Sequence, residues 1–233
     1  MKYGSLIKNI VNPPILMIKE IKDKKYLAKL IEQGEHEHQD FKYQISDAKK
    51  IARSISAFAN NSGGHLLIGV KDNGNISGIK SDEEIFMVDQ AAQLYCKPAQ
   101  AVEYRIYRHE GKCVLFAQIN EAEKKPVKAP NESGEWRVYY RVNDENILAN
   151  PLHVKILQNT GNNSVQTIIN FTEKEQEFLC LVEDKGEIYI DECPMLMHLS
   201  RKTTNELIQK LCEFQILKLC YKGGKCFVAL ANC

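Results

Sequence analysis

At 233 residues, the chain is long enough for one large domain, or for a domain of about 150 residues with a small companion, and the two-part arrangement is expected. Its 44% hydrophobic and 26% charged residues exclude general disorder, and a formal net charge of +1 excludes a global basic field, so any contact with nucleic acid must use local patches. No apolar run approaches the ~18 residues of a membrane span, and the N-terminus has neither the apolar core nor the cleavage site of a signal peptide; a soluble, cytoplasmic protein without a membrane partner is expected.

In chain order, residues 1–18 read as an arm, because Asn12-Pro13-Pro14 can neither continue a helix nor donate to a sheet. Ile21, Tyr26, Leu27, Leu30 and Ile31 mark one apolar helix face over 19–33, with Gly34 as its stop. Asp40-Phe41-Lys42 has strand parity, Phe41 inward and the two charges sharing the opposite face. Ser46 is expected to cap a second helix carrying Ala48, Ile51, Ala52, Ile55, Phe58 and Ala59, which ends at Gly63-Gly64 before the buried strand 66–70. A tight turn at 72–75 follows, then a helix over 82–94 and strands over 102–107, 112–119 and 136–142. In the last of these, Trp136, Val138, Tyr140 and Val142 are read as the buried face and Arg137, Tyr139 and Arg141 as the wet one.

Residues 158–170, rich in Asn, Gly, Ser and Thr, read as a linker. Beyond it, Thr172 and Glu175 form a capping box for a helix over 173–184, a short 188–190 segment leads to a helix near Asp191, and Ser200 caps a helix over 201–214. A hairpin through Lys222-Gly223-Gly224 closes the chain, so 171–233 is expected to be a winged helix-turn-helix domain. The eight cysteines contain no C-x-x-C pair and are expected to be reduced small hydrophobes.

Gly34-Glu35, Asp40-Phe41-Lys42, Ser56-Ala57-Phe58-Ala59-Asn60, Gly63-Gly64, Ile68-Gly69-Val70 and Asp72, in this order and spacing, resemble the Schlafen AlbA-like domain, sometimes described as a divergent AAA domain. Lys125-Pro126 and Tyr140-Arg141-Val142 resemble its later segments. The resemblance implies an α+β domain over 19–157 with a mixed or antiparallel sheet and flanking helices. Bacterial members are often followed by a winged helix and described as DNA-binding transcriptional regulators. It also implies an alternative, since some members of the Schlafen branch are RNA nucleases with three carboxylates, which fall here on Glu35, Asp40 and Asp72. Such a set would hold Mg²⁺ or Mn²⁺ and activate water, with Lys42 steadying a phosphate. Asp40 replaces the more usual glutamate and shortens the reach. The competing reading of Asp40 and Lys42 is a surface ion pair beside a core phenylalanine. His36-x-His38 has metal-like spacing that is also common on solvated turns.

ATP binding is not expected, because Gly63-Gly64 follows a helix rather than opening one and no phosphate-loop lysine accompanies it. The candidate nucleic-acid contacts are Lys124, Lys125 and Lys128 on a loop, Arg137, Tyr139 and Arg141 on the presumed wet face, and Arg201, Lys202, Thr204, Asn205 and Gln209 on the presumed recognition helix. Eight Lys or Arg against ten Asp or Glu in 171–233 oppose a freestanding DNA binder, so the first domain or a homodimer would have to help. DNA or RNA binding is the leading expectation, a metal-dependent RNA nuclease the second, and a protein-interaction module the third.

Overall fold

The computed structural model describes residues 18–21, 23–159 and 171–231; residues 1–17 of the expected arm and 160–170 of the expected linker lie outside them, while residues 158 and 159 of that linker are the end of a helix. A five-stranded mixed sheet is built from β1 (Lys19–Ile21), β2 (Gln39–Lys42), β3 (Gly64–Ile68), β4 (Val102–His109) and β5 (Lys112–Ile119), in the order β1-β4-β5-β3-β2. β1 pairs parallel with β4 and β2 with β3, while β5 runs antiparallel between β4 and β3. Four strands therefore point the same way and β5 opposes them.

Helix α1 (Lys24–Gln33) lies on one face of this sheet, its Leu27 and Leu30 packed with Phe41, Leu67, Tyr107 and Phe116. The Asp23 side chain accepts from the Tyr26 N–H at its start, and Gly34 ends it at φ 70°, a left-handed conformation that suits glycine. The other face carries α2 (Ala48–Asn60) and α3 (Glu83–Leu94). Asp47, one residue beyond the expected Ser46, caps α2 by accepting from the Lys49 N–H.

A second, antiparallel sheet of β6 (Lys128–Pro130), β7 (Trp136–Val142) and β8 (Glu145–Leu148) packs on α2. This layer was not expected, and it buries α2 from a second side: Ala52, Ile55, Ala57, Phe58 and Ala59 have no exposed surface. It also corrects the reading of β7. Tyr139 and Arg141 are buried and only Arg137 stays exposed, because the face assigned to water is the one turned towards α2.

The C-terminal residues form α4 (Pro151–Asn159), α5 (Glu173–Lys185), β9 (Ile188–Tyr189), α6 (Cys193–Leu196), α7 (Arg201–Glu213), β10 (Leu217–Lys222) and β11 (Lys225–Leu230). The capping box of Thr172 and Glu175 is formed, and Ser200 caps α7 by accepting from the Thr203 N–H. The three strands make an antiparallel sheet in the order β10-β11-β9. Phe178, Val182, Ile208, Leu211 and Val228 form its core, joined by Leu152 and Ile156 of α4. The Tyr221 hydroxyl accepts from the Asn150 N–H at 3.0 Å and pairs with His153 Nδ1 at 2.8 Å, and the Tyr140 ring lies 4.4 Å from that imidazole. Strand β7, helix α4 and strand β10 meet at this aromatic cluster.

Candidate functional site

The charged cluster singled out by the sequence lies along β2, an edge strand of the main sheet. Parity places Phe41 in the core under α1 and turns Asp40 and Lys42 towards α2. Asp40 is only 3% exposed. Its carboxylate meets Lys42 Nζ at 2.7 Å and Arg141 Nη2 at 3.4 Å, and accepts from Ser54 Oγ at 3.4 Å. Arg141, 1% exposed, reaches across from β7 and donates to Asn146 Oδ1 at 3.0 Å and to the Gln39 carbonyl at 3.2 Å, with its guanidinium 5.1 Å from the Phe58 ring centre. Asn146 in turn donates to Ser54 Oγ at 2.9 Å. Asp40, Arg141, Asn146 and Ser54 thus close a ring of polar side chains drawn from β2, β7, β8 and α2.

Glu35 stands at the outer side of the same strand and accepts the Phe41 N–H at 2.8 Å. It supplies a partner to a backbone donor on a sheet edge, where the ladder offers none. Burial first, and then the Asp40 carboxyl beside it, push Glu35 above the ordinary carboxylate range. Asp72 does not join this pair: it is exposed on the turn closed by the Gly74 N–H to Lys71 carbonyl bond.

These residues do not fit a divalent metal. Among the described residues, no group of three or more His, Cys, Asp or Glu side chains is placed to hold one. Asp40 already faces two cations, which would repel a third positive charge. His36 and His38 are likewise engaged in local structure: His36 Nδ1 accepts the His38 N–H at 3.2 Å, and His38 Nδ1 pairs with the Gly63 carbonyl at 2.9 Å.

The other motif residues also have packing roles. Asn60, 1% exposed, donates to the Val127 and Tyr139 carbonyls at 2.8 Å each and accepts the Val127 N–H at 2.7 Å, while Ser56 Oγ donates to the Val127 carbonyl at 2.8 Å. Together they fasten the second sheet to α2. Gln39 Nε2 donates to the Leu30 and Gly34 carbonyls at 2.7 and 2.6 Å, and its Oε1 pairs with His65 Nε2 at 2.8 Å. A side chain at Gly64 would meet the Phe58 ring at 2.3 Å, so the glycine serves close packing of helix against strand. Ser54, Asn146 and Gln39 were missed by sequence reading; Gln39 alone carried a signal, a polar residue sharing strand parity with core Phe41.

The basic candidates are dispersed. Lys124 is exposed, whereas the Lys125 side chain is 12% exposed and held by Glu121 at 2.6 Å and the Asn61 carbonyl at 3.0 Å. Lys128 is half-buried, its backbone bridging to Lys97. Arg137 is exposed and pairs with Glu135 at 2.8 Å. On α7, Arg201 is exposed and pairs with Asp191, Lys202 is exposed, Thr204 is buried and Gln209 donates to Glu213 at 2.9 Å. Asn205 is half-buried with its Oδ1 shielded from solvent and without a hydrogen-bond partner. No helix of the described residues is long and apolar enough to cross a membrane.

A mixed-sheet α+β domain with an edge-strand carboxylate pair and a buried arginine is what the fold and site define. Residues 35–150 match the family model described as Schlafen, AlbA_2, so this part of the chain is similar to that domain. Comparison with curated proteins gives no match. Among solved structures, the DIP2311 protein from Corynebacterium diphtheriae is similar at 21% identity and a TM-score of 0.42, over 72% of this chain and 31% of that one. This chain therefore spans under a third of that protein. The N-terminal domain of a RecG-related protein from Nitrosomonas europaea is similar at 20% identity and a TM-score of 0.39, over 66% of this chain and 96% of that domain. At these scores neither likeness bears on function.

Proposed function

We propose that the protein binds nucleic acid as a DNA-binding transcriptional regulator, with an AlbA_2 domain at 19–157 and a winged helix-turn-helix at 171–233. The observation that carries this reading is the C-terminal order helix, strand, two helices, then a two-stranded hairpin whose strand β11 also pairs with β9. In such a module the helix before the hairpin enters the major groove with its N-terminal residues towards the bases. Helix α7 has that position, and it buries Thr204, Leu207, Ile208 and Leu211 while leaving Arg201, Lys202 and Thr203 exposed at its N-terminal end.

The excess of two acidic residues in 171–233 makes this module a weak binder alone. Exposed Lys124 on the first domain, or a second copy of the chain, supplies the additional phosphate contacts. Equilibrium binding of the full chain to a labelled random-sequence duplex tests the reading. Lys202→Ala is expected to weaken binding about fivefold at low salt, as loss of a phosphate contact does. Failure to bind DNA or RNA at any salt would replace this reading with a protein-interaction module.

A further inference from the structure

Away from the Asp40–Arg141 ring, an open cleft of about 650 Å³ sits at one end of the main sheet, lined in part by Tyr43, Lys71, Asn75, Ser77, His109 and Lys112. The topology explains why these residues meet. β2, β3 and β4 run in one direction, so Tyr43 just after β2, Lys71 shortly after β3 and His109 at the end of β4 emerge together, and Lys112 opens β5 beside them. In open α/β sheets, crevices beyond the carboxyl ends of strands are where ligands bind.

The chemistry of the cleft is specific. Tyr43 is 43% exposed, a large aromatic side chain left out of every core cluster. Two ammonium groups stand over its ring, Lys71 Nζ at 5.3 Å and Lys80 Nζ at 5.6 Å from the centre. Lys112 Nζ is anchored on the Ile76 carbonyl at 2.8 Å, on an exposed side chain. Opposing charge comes from Glu110, 3.9 Å from His109, and from exposed Asp72 in the turn that carries Lys71. Lys71 and Lys112 thus line the cleft with two carboxylates nearby, and Lys80, whose Nζ also donates to Gln44 Oε1 at 2.8 Å, stands beside it over the same ring.

We infer that this cleft binds single-stranded nucleic acid, with one unpaired base stacked on Tyr43 and the flanking phosphates held by Lys71, Lys80 and Lys112. An aromatic face among lysines matches both parts of such a strand, base and backbone. An exposed lysine–ring contact is weaker than base stacking, so a base displaces the ammonium groups, and these then meet the phosphates. A duplex keeps its bases stacked on one another and cannot use the ring. The inference rests on the nucleic-acid reading for the class of partner and assigns it a second surface, distant in sequence from α7.

The test is binding of the full chain to a short labelled oligothymidylate, alongside the labelled duplex. Tyr43→Ala is expected to weaken the single strand about tenfold and Tyr43→Phe to retain it, because the ring and not the hydroxyl supplies the stacking. Lys71→Ala is expected to reduce the slope of log affinity against log salt by about 0.7. Equal binding by wild type and Tyr43→Ala would overturn the inference, as would competition by thymidine monophosphate or an acidic peptide as effective as the strand. If the single strand is held through Tyr43 and the duplex is not bound, the winged-helix reading fails and the cleft stands. Duplex binding with no dependence of the single strand on Tyr43 overturns the cleft alone.

Discussion

A carboxylate that is 3% exposed must find partners or give up its charge, and Asp40 finds Lys42 and Arg141. Removing Arg141 leaves the buried Asp40 with only the partly exposed Lys42 as its cation and empties a buried guanidinium site. Arg141→Met is therefore expected to destabilise the fold by about 3–5 kcal/mol, and adding Asp40→Leu to recover much of that loss. Urea denaturation of the two single variants and the double variant measures this; a cost below about 1 kcal/mol for Arg141→Met would show that the ring does not hold the layers. The Asp40–Lys42 ion pair beside core Phe41 was legible in the sequence, but the burial of Asp40 was not. Its second cation, Arg141, lies far along the chain on a strand whose inner face had been assigned to water.

Two histidines give the molecule a pH dependence. Burial first lowers His65, with the nearby His36 and His38 adding to it, and burial then the charge of Lys125 lower His153; both fall to about 4 from an ordinary 6.5. Between those values the unfolded chain takes up protons that the folded chain refuses. Stability is therefore full above about pH 6.5 and falls as pH drops towards 4, by on the order of 3 kcal/mol for each histidine. Denaturation midpoints measured from pH 7 to 4 check this, and His153→Gln should flatten the fall. A midpoint that holds steady or rises over that range would contradict it.

At the scale of elements, α2 organises the first unit because it is covered by the main sheet and α3 on one side and by the second sheet on the other. Ser56 and Asn60 are the polar contacts that make the second covering specific. Asn60→Ala leaves the Val127 N–H and the Tyr139 carbonyl without their partner, while the Val127 carbonyl keeps Ser56 Oγ, at an expected cost of about 2–3 kcal/mol. The readout is the urea midpoint at unchanged slope, and a neutral substitution would mean that the segments around Val127 and Tyr139 are held by packing alone.

Helical periodicity revealed α1 and α2, capping residues located α5 and α7, and the strands β5 and β7 were read with their observed bounds; the expected helix over 19–33 is shorter than read, because residues 19–21 form β1. β1 and β6 have three residues each, one of them including Pro130, and carry no such signal. Helix α4 was absorbed into the end of the first domain because its apolar residues, Leu152 and Ile156, reveal their partner only in three dimensions, where they join the C-terminal core. Alternation in β7 separated its two faces correctly but could not say which one is wet, because α2 covers the face bearing Tyr139 and Arg141.

The whole molecule joins a mixed-sheet domain similar to the Schlafen, AlbA_2 family, whose motif residues largely build its scaffold, to a helix-and-hairpin unit through the Tyr140–His153–Tyr221 cluster. A net charge of +1 gives no long-range attraction for nucleic acid, so the proposed recognition requires a few exposed cations. Their number is what salt dependence counts. The most direct test is the affinity of the full chain for duplex DNA measured across a range of salt concentrations. Two to four phosphate contacts predict a log–log slope of about −2 to −4, whereas salt-independent binding, or none, would contradict the proposed function.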